Sequence, residues 1–550
     1  MSLRAHDVYQ VPEETASVAR AIYPEGNVAM RMYDELGMLF RDEQFADLFP
    51  RVGQPAETPV RLALVTLLQF MEGLTDRQAA EAVRLRIDWK YLLCLELRDR
   101  GFHHTVLSEF RTRLLQHGAE GRLFEAILLL ARTRGLLQAR GRQRTDSTHI
   151  LGVMRTLTRM EATAETLRHA LNALAKAAPT WLQQHTTAEW VDRYATRVSE
   201  YRLPKSQTQR EIWIRRTGED GWNLLHALYA VTAPAELRQM PAVETLRQVW
   251  LQNYQMAEGQ VTWRANNNVP PAGRYISSPH DPDARYASKG STVWTGYKVH
   301  LTETCVEERP NLITNVETTP AAVADDAVTE TIHAALATRD LLPTQHIADT
   351  GFVNSVLLVS SAQDYGIELV GPARTDNQWQ AKAGNGFAAS QFTIDWLAQH
   401  AVCPQGKVSQ SWTPARDRFK NEVIKIKWSA SDCRVCPSQA LCTRATHPRR
   451  TVTVRPQAQH EALLARRAHE QTAEFAETYR QRAGVEGTLA QGLRSCALRR
   501  SRYVGLARTH LQHLMIAAAI NVVRILRWFA DIPKAAVRPS AFALLYPSST

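Results

Sequence analysis

Seven cysteines in 550 residues are too few for a disulfide framework, and their odd number points to free thiols or metal ligands in a reducing compartment. Long apolar runs are also missing. The longest, Leu514 to Phe529, is interrupted by Asn521, Arg524 and Arg527 and falls short of the roughly 20 apolar residues of a membrane span. No apolar stretch opens the chain at Met1-Ser-Leu-Arg-Ala-His-Asp7, so no secretory signal is expected and a cytoplasmic location is. Internal repeats are absent too, and with them a repeat architecture. Positive charge is what the chain has in excess. Lys and Arg number 66 against 55 Asp and Glu, a net +11, and the isoelectric point near 9.4 favours a polyanionic partner. A 44% hydrophobic content excludes disordered and fibrous classes and suits roughly three to four domains with real cores.

Residues 1–59 read as a lead-in with one or two short helices, punctuated by Pro12, Pro24, Pro50, Pro55 and Pro59. From Val60 the apolar positions Leu62, Leu64, Leu67, Leu68 and Met71 recur at helical spacing and stop at Gly73. Thr75-Asp76 offers an N-cap for a helix to Leu85, and Asp88 one for a helix through Leu95. Helices over Val106–His117 and Leu123–Thr133 complete a helical region, 60–138, whose helix-turn-helix spacing and exposed Arg77, Arg84, Arg86, Arg111 and Arg113 suit DNA contact; an ordinary helical bundle has the same pattern. Region 139–373 is expected to mix strands and helices, with a helical insertion over about 157–260. Its strands fall at Asp146, Ser291–Leu301, Asn311–Thr318, His346–Asp349 and Gly366–Pro372, the second and third paired antiparallel, with helices over Ala324–Thr338 and Ser355–Tyr365. Residues 374–456 read as an irregular polar insertion carrying four cysteines and a strand over Asn421–Trp428. A long helix from Gln457 to Gly484 or beyond and an apolar core helix, Leu506–Phe529, occupy 457–531, and 532–550 form a loose tail. The fold class is α/β.

In Gln345-His-Ile-Ala-Asp349-Thr-Gly-Phe352 a short apolar run ends on a carboxylate and breaks at Gly351, the pattern of a strand delivering an acid to a sheet rim. Asp146, in Arg144-Thr-Asp-Ser-Thr148, is expected at the end of another strand. Glu486 would approach from the long helix, where Tyr479, Arg482 and Glu486 stand at i, i+3 and i+7 on one face. Three acids converging from separate elements would hold the divalent cations that phosphodiester cleavage and strand transfer need. Each acid alone has a plainer reading: Asp146 as a turn cap, Asp349-Thr-Gly as an ordinary turn, Glu486 as a solvated charge.

The set Thr-Asp146-Ser-Thr, Gly296-Tyr-Lys-Val-His300, Ala-Asp349-Thr-Gly-Phe and Tyr479-x-x-Arg482-x-x-x-Glu486 resembles bacterial insertion-sequence transposases of the DDE type, in the branch with a Tyr-Arg-Glu signature. Leu369-Val-Gly-Pro372 followed by Asn377-Gln-Trp379-Gln makes it most like the group numbered eleven eighty-two. The resemblance runs from about Val60 to Arg527. It implies a ribonuclease-H-like catalytic core made by 139–373 and 457–531, with Asp146, Asp349 and Glu486 binding Mg²⁺ or Mn²⁺. It also implies DNA contacts by Tyr479, Arg482, Lys298, Arg494, Arg499, Arg500 and Arg502, and a homodimer on the double-stranded DNA of transposon ends and target. Where the signature usually has a basic residue seven positions after the Glu, this chain has Leu493, with Arg494 one later.

Cys403-Pro-x-Gly406 and Cys433-x-x-Cys436-Pro-x-x-x-x-Cys442 are the clearest group of soft ligands, suited to one tetrahedral structural Zn²⁺ or else to free buried thiols. Cys94, Cys305 and Cys496 read as packing residues. Trp379 and Trp412 have the faces to stack an unpaired base, though core burial is the readier explanation of both. Two other functions compete. A non-catalytic DNA-binding protein would share the charge and the helices. An aspartic protease would share Asp349-Thr-Gly, but it would need a second Asp-Thr/Ser-Gly or a dimer and leaves Tyr479 to Glu486 unexplained.

Overall fold

The computed structural model describes residues 2–3, 9–198, 203–534 and 545. The expected tail beyond 534 and most of the amino-terminal segment read for a signal therefore lie outside the described residues.

A run of helices fills the first part of the chain. Pro59 occupies the first turn of Pro59–Met71, where its missing N–H costs nothing, and the helix that follows is nearly all buried. Thr75 caps Asp76–Leu85 in a reciprocal box with Gln78. The next helix, Ile87–Leu92, is not capped by Asp88 as the sequence suggests: Arg86 takes the cap position, and Asp88 lies buried inside the helix, paired with the Arg86 guanidinium at 2.5 Å. Thr105–Gln116 and Arg122–Thr133 follow. Before them, Ala29, Met32, Leu36, Phe40, Phe45, Leu48 and Phe49 belong to the same apolar cluster as the helices and the central sheet. Local sequence hides this because prolines and short turns break every period there.

The central sheet has six strands: β1 (Arg142–Leu151), β2 (Arg285–Lys289), β3 (Thr292–Thr304), β4 (Ile313–Pro320), β5 (Gln345–Ala348) and β6 (Glu368–Val370). The strand order is β2-β3-β1-β5-β6, with β4 pairing β3. β3 runs antiparallel to β1, β2 and β4, while β1, β5 and β6 are parallel. The sheet is thus mixed. Asp326–Thr338 crosses from β4 to β5 and Ser355–Tyr365 from β5 to β6, the latter capped by Asn354 and closed by Gly366 in the left-handed region.

Helix Leu506–Phe529 is long and apolar enough by composition to cross a membrane, but it is buried against β4, Pro59–Met71 and Arg122–Thr133. Its Asn521 side chain exchanges two 2.8 Å hydrogen bonds with the backbone of Ile313, which fixes its register on β4. Between β1 and β2 the chain makes a helical excursion, with its largest helices Arg159–Ala177, Gln207–Tyr229 and Pro241–Asn253, around a separate core of Leu167, Trp190, Tyr194, Leu246, Trp250 and Tyr254.

The 374–456 stretch is more regular than its composition suggests. Ser411–Arg416, Glu422–Lys427 and Thr451–Val454 form an antiparallel three-stranded sheet, with Ile426, Trp428, Val452 and Val454 buried beneath it. The expected long helix after it is in fact three: Gln457–His469, Ala473–Arg480 and Ala483–Ser495. Thr472 caps the second helix, and Arg482 occupies the turn before the third.

Candidate functional site

Parallel pairing of β1 with β5 sets Thr145 opposite Ala348, so Asp146 and Asp349, the next residue on each strand, fall side by side. Asp146 does not end its strand, as the sequence suggested. It is the fifth residue of a ten-residue strand that continues along β3 to Leu151. β5 does stop at Ala348, and Asp349 caps the turn that follows by accepting the Gly351 N–H at 2.7 Å. A side chain at Gly351 would collide with this carboxylate, its Cβ falling 2.8 Å from Asp349 Oδ1 and 3.2 Å from Asp325 Oδ2.

Tyr479, Arg482 and Glu486 come from two helices and the turn between them, so their shared side is made by a bend rather than by one continuous helical face. Arg482 donates to Asp146 Oδ2 at 2.7 Å and to Glu486 Oε1 at 2.9 Å, and its Nε is buried without a partner. Asp146 is 10% exposed and Glu486 62% exposed. Burial raises the Asp146 carboxyl above the usual Asp range, with the neighbouring Asp349 charge acting in the same direction and Arg482, the Ser147 N–H and Lys289 opposing it. Burial likewise raises the Tyr479 phenol, whose ring stacks on Phe475 at 5.6 Å.

The turn carrying Arg482 is pinned from below by ion pairs whose members lie far apart in the sequence. Glu303, fully buried on β3, pairs with Arg144 at 2.6 Å and Arg524 at 2.7 Å and accepts from the Thr488 hydroxyl at 2.6 Å. Arg144 also donates to the Gln481 carbonyl at 2.6 Å. Gly484 packs directly on the Arg144 guanidinium, where a Cβ would overlap it. These residues were missed in the sequence, where Arg144 belongs to a basic run and Glu303 is one charge in a strand. In the sequence Glu303 continues the every-second-residue row Tyr297, Val299 and Leu301, the local signal that could have found it.

The expected DNA-contacting side chains divide into free and committed ones. Arg494 and Arg500 are exposed. Arg499 packs on His149 and donates to its carbonyl at 3.0 Å. Arg502 turns inward to the Leu74 carbonyl at 2.7 Å and lies over the Phe70 ring. Lys298 is taken by the Val323 carbonyl at 2.7 Å and Asp325 at 3.0 Å. Lys289, exposed at the end of β2, is close enough to Asp146 and His149 to act on both charges, and sequence reading had not singled it out.

Of the arginines expected to be exposed on the amino-terminal helices, Arg77 and Arg84 are. Arg111 is buried and paired with Asp76 at 2.5 Å. Arg113 reaches the Leu48 carbonyl at 3.1 Å, and Arg86 joins Glu72 and Asp88. Arginine's long stem lets it cover apolar surface while its head finds a buried acceptor, so charge alone overstates the exposed set.

Three carboxylates without nitrogen or sulfur donors are the chemistry a hard divalent cation takes. Among the described residues, however, no three His, Cys, Asp or Glu side chains stand grouped to hold a metal ion. At this site the reason is visible: the Arg482 fork lies between Asp146 and Glu486. Cys403, Cys433, Cys436 and Cys442 are free thiols lining one cavity of about 170 Å³ with Trp428, Phe387 and Arg450. Burial pushes the Cys442 thiol up to about 11, and the three other cysteines act in the same direction. The Lys407 N–H points at Cys403 Sγ at 3.3 Å. Trp412 meets Trp396 in a T-shaped contact, and Trp379 lies under the Arg444 guanidinium; both are half-buried.

Residues 402–526 match the family profile of the Transposase DDE domain. Residues 20–113 match that of the Transposase domain (DUF772). The matches support a transposase, with DNA as its implied partner. The first covers Tyr479, Arg482 and Glu486; neither reaches Asp146 or Asp349, which are tied to it only by the fold. The second covers residues 20–59 of the segment expected to be a lead-in and continues into the helical region. A search of curated proteins finds no match.

Proposed function

We propose that this protein is an insertion-sequence transposase that binds the ends of its element and carries out metal-dependent strand cleavage and strand transfer, in the Tyr-Arg-Glu branch and most like the group numbered eleven eighty-two. The observation that carries this reading is the register of β1 on β5, which sets Asp146 beside Asp349 under Arg482 and Glu486. The antiparallel β4-β3-β1 pairing followed by parallel β1-β5-β6 is the order a ribonuclease-H-like core requires, and it supports that assignment. Asp146, Asp349 and Glu486 would hold Mg²⁺ or Mn²⁺, which would supply a nucleophile at neutral pH and neutralise charge on the reacting phosphate.

The chain itself performs the positioning. β1 and β5 present two carboxylates at the sheet rim, and the Arg144–Glu303–Arg524 cluster fixes the turn from which Arg482 and Glu486 reach them. Arg482 at the acids and the exposed Lys289, Arg494 and Arg500 would meet the phosphates, with the exposed Arg77 and Arg84 adding basic side chains on the helical region. Affinity then comes mainly from phosphate contacts and weakens with salt. The four thiols around one cavity we read as a structural zinc site of the 374–456 sheet, since their donors are those of tetrahedral Zn²⁺; no three of them stand grouped for a metal here, so they would have to draw together on the ion.

Cleavage of DNA carrying the element's ends, in Mg²⁺ or Mn²⁺, tests the reading. Asp349→Ala should bind that DNA normally and cut it at least about a hundredfold more slowly, because metal-site residues act as a unit. Near-wild-type cleavage by this variant would remove the acids from the mechanism. Normal binding with no cleavage by the wild-type protein would favour the non-catalytic DNA-binding alternative.

A further inference from the structure

The arrangement of Arg482 carries a consequence for how this site is loaded. One guanidinium is shared between two of the three acids, at 2.7 Å from Asp146 and 2.9 Å from Glu486. While it stays there, a cation entering between the carboxylates would meet a like charge and would have to displace a fork already satisfied on two sides. The arginine is nevertheless incompletely paired: its Nε is buried with no acceptor. A phosphate oxygen offers the bidentate partner that a guanidinium matches best.

The geometry around Arg482 favours a side-chain swing rather than a movement of the site. The turn backbone is held by the Arg144 donation to the Gln481 carbonyl at 2.6 Å, and Gly484 is packed against the same guanidinium. Asp146 is fixed by its strand and Asp349 by its turn. Glu486 is more than half exposed. The parts least held in place are therefore the Arg482 and Glu486 side chains, whose ion pair must open before a cation can lie between Asp146 and Glu486.

We propose that Arg482 is a latch on the acid cluster: in the free protein it occupies the place of a divalent cation, and DNA phosphate draws it off, so that metal and DNA bind cooperatively. This rests on the reading of Asp146, Asp349 and Glu486 as metal ligands. Linkage makes the coupling reciprocal: whatever factor DNA adds to metal affinity, metal adds to DNA affinity. The free protein is thereby kept from holding a competent metal site away from DNA, which guards against stray cleavage.

The experiment is Mn²⁺ binding to the full chain, read from the resonance of free Mn²⁺, with and without a short random-sequence duplex, for wild type, Arg482→Gln, Arg482→Lys and Asp349→Asn. Without DNA, Arg482→Gln should bind Mn²⁺ about tenfold more tightly than wild type, and Arg482→Lys should fall between, because one ammonium cannot span both acids as a fork does. With duplex, wild type should tighten by a similar factor while Arg482→Gln changes little. Equal Mn²⁺ affinity of Arg482→Gln and wild type without DNA, in protein that melts normally, would overturn the latch. So would wild-type affinity indifferent to duplex, a measurement that needs no variant. If Asp349→Asn bound Mn²⁺ as wild type does, the metal reading itself would fall and the latch with it. Tight, Asp349-dependent binding that Arg482→Gln leaves unchanged would overturn the latch alone.

Discussion

Replacing Glu303 with Ala tests whether the buried ion cluster is what assembles the site. Glu303 is fully buried, and its two oxygens serve Arg144, Arg524 and Thr488. Removing it leaves Arg144, 8% exposed, and Arg524, 17% exposed, without their charge partner. Breaking a buried pair by deleting one member costs about 3–5 kcal/mol, because the remaining charge stays desolvated. Glu303→Gln keeps the shape and one acceptor, so the loss should be nearer that of charge-assisted hydrogen bonds, about 1.5–3 kcal/mol. The assay is urea unfolding followed by far-ultraviolet circular dichroism, comparing midpoints at unchanged slope. Function should fail before folding does. Thr488 shares its helix with Glu486, and Arg144 holds the carbonyl just before Arg482, so loosening Glu303 frees the segment that brings Arg482 to Asp146 and Glu486 to Arg482. Cleavage at a temperature where the variant remains folded should fall further than the folded fraction. A destabilisation of Glu303→Ala below about 1 kcal/mol, the worth of a surface pair, would refute the reasoning.

How much of this was legible in the sequence depends on whether a residue's partners are local. The strand ending at Asp349 and the turn at Gly351 were readable because the apolar run and its breaker are contiguous. The same holds for the antiparallel β3–β4 pair and for the helix after Asn354, whose signals lie within a few residues. Asp146 was misplaced to a strand end because Arg140 to Thr148 is polar throughout. Its strand is stabilised by two neighbouring strands and shows little apolar alternation of its own. The long helix breaks at Thr472, which caps the next helix by accepting the Phe475 N–H, and at Arg482, whose turn is held by its pair with Asp146 and by Arg144 on the Gln481 carbonyl; neither residue is a Gly or Pro breaker. Committed arginines such as Arg111 and Arg502 look no different in sequence from the exposed Arg494 and Arg500. Only the partners, hundreds of residues away for Arg502, separate them.

Gly484→Ala should lower stability by about 1–3 kcal/mol and slow cleavage, because its Cβ would fall on the Arg144 guanidinium, which Glu303 and Gln481 prevent from yielding; an unchanged urea midpoint would show that Arg144 has room to move. Elemental analysis of protein purified without chelator should give one zinc per chain, and Cys433→Ser should abolish it and loosen the 374–456 sheet before the central one; absence of zinc would leave the thiols as packing groups. The last prediction concerns acid stability. Burial lowers His300 and His333 to about 4 and His513 to about 3, and it drives His346 well below the ordinary value. Since the folded values lie below the unfolded one near 6.5, the stability these neutral rings contribute is fully present above pH 6.5. It is lost as pH falls, at up to about 1.4 kcal/mol per pH unit for each histidine that only the unfolded chain protonates. Carboxylates of ordinary pKa remain charged down to about pH 5, so the interval from pH 6.5 to 5 isolates the histidines. Asp146 has the opposite sign, because its raised value makes its charge a cost that grows as pH rises through the carboxylate range. The melting temperature should therefore fall steadily from pH 6.5 to 5, and His513→Asn, at a fully buried position beside Thr318, should reduce the slope. A melting temperature independent of pH across that interval would mean that the rings accept protons without unfolding, and that the buried hydrogen bonds from His333 to His346 and from His346 to Thr145 tolerate a charge.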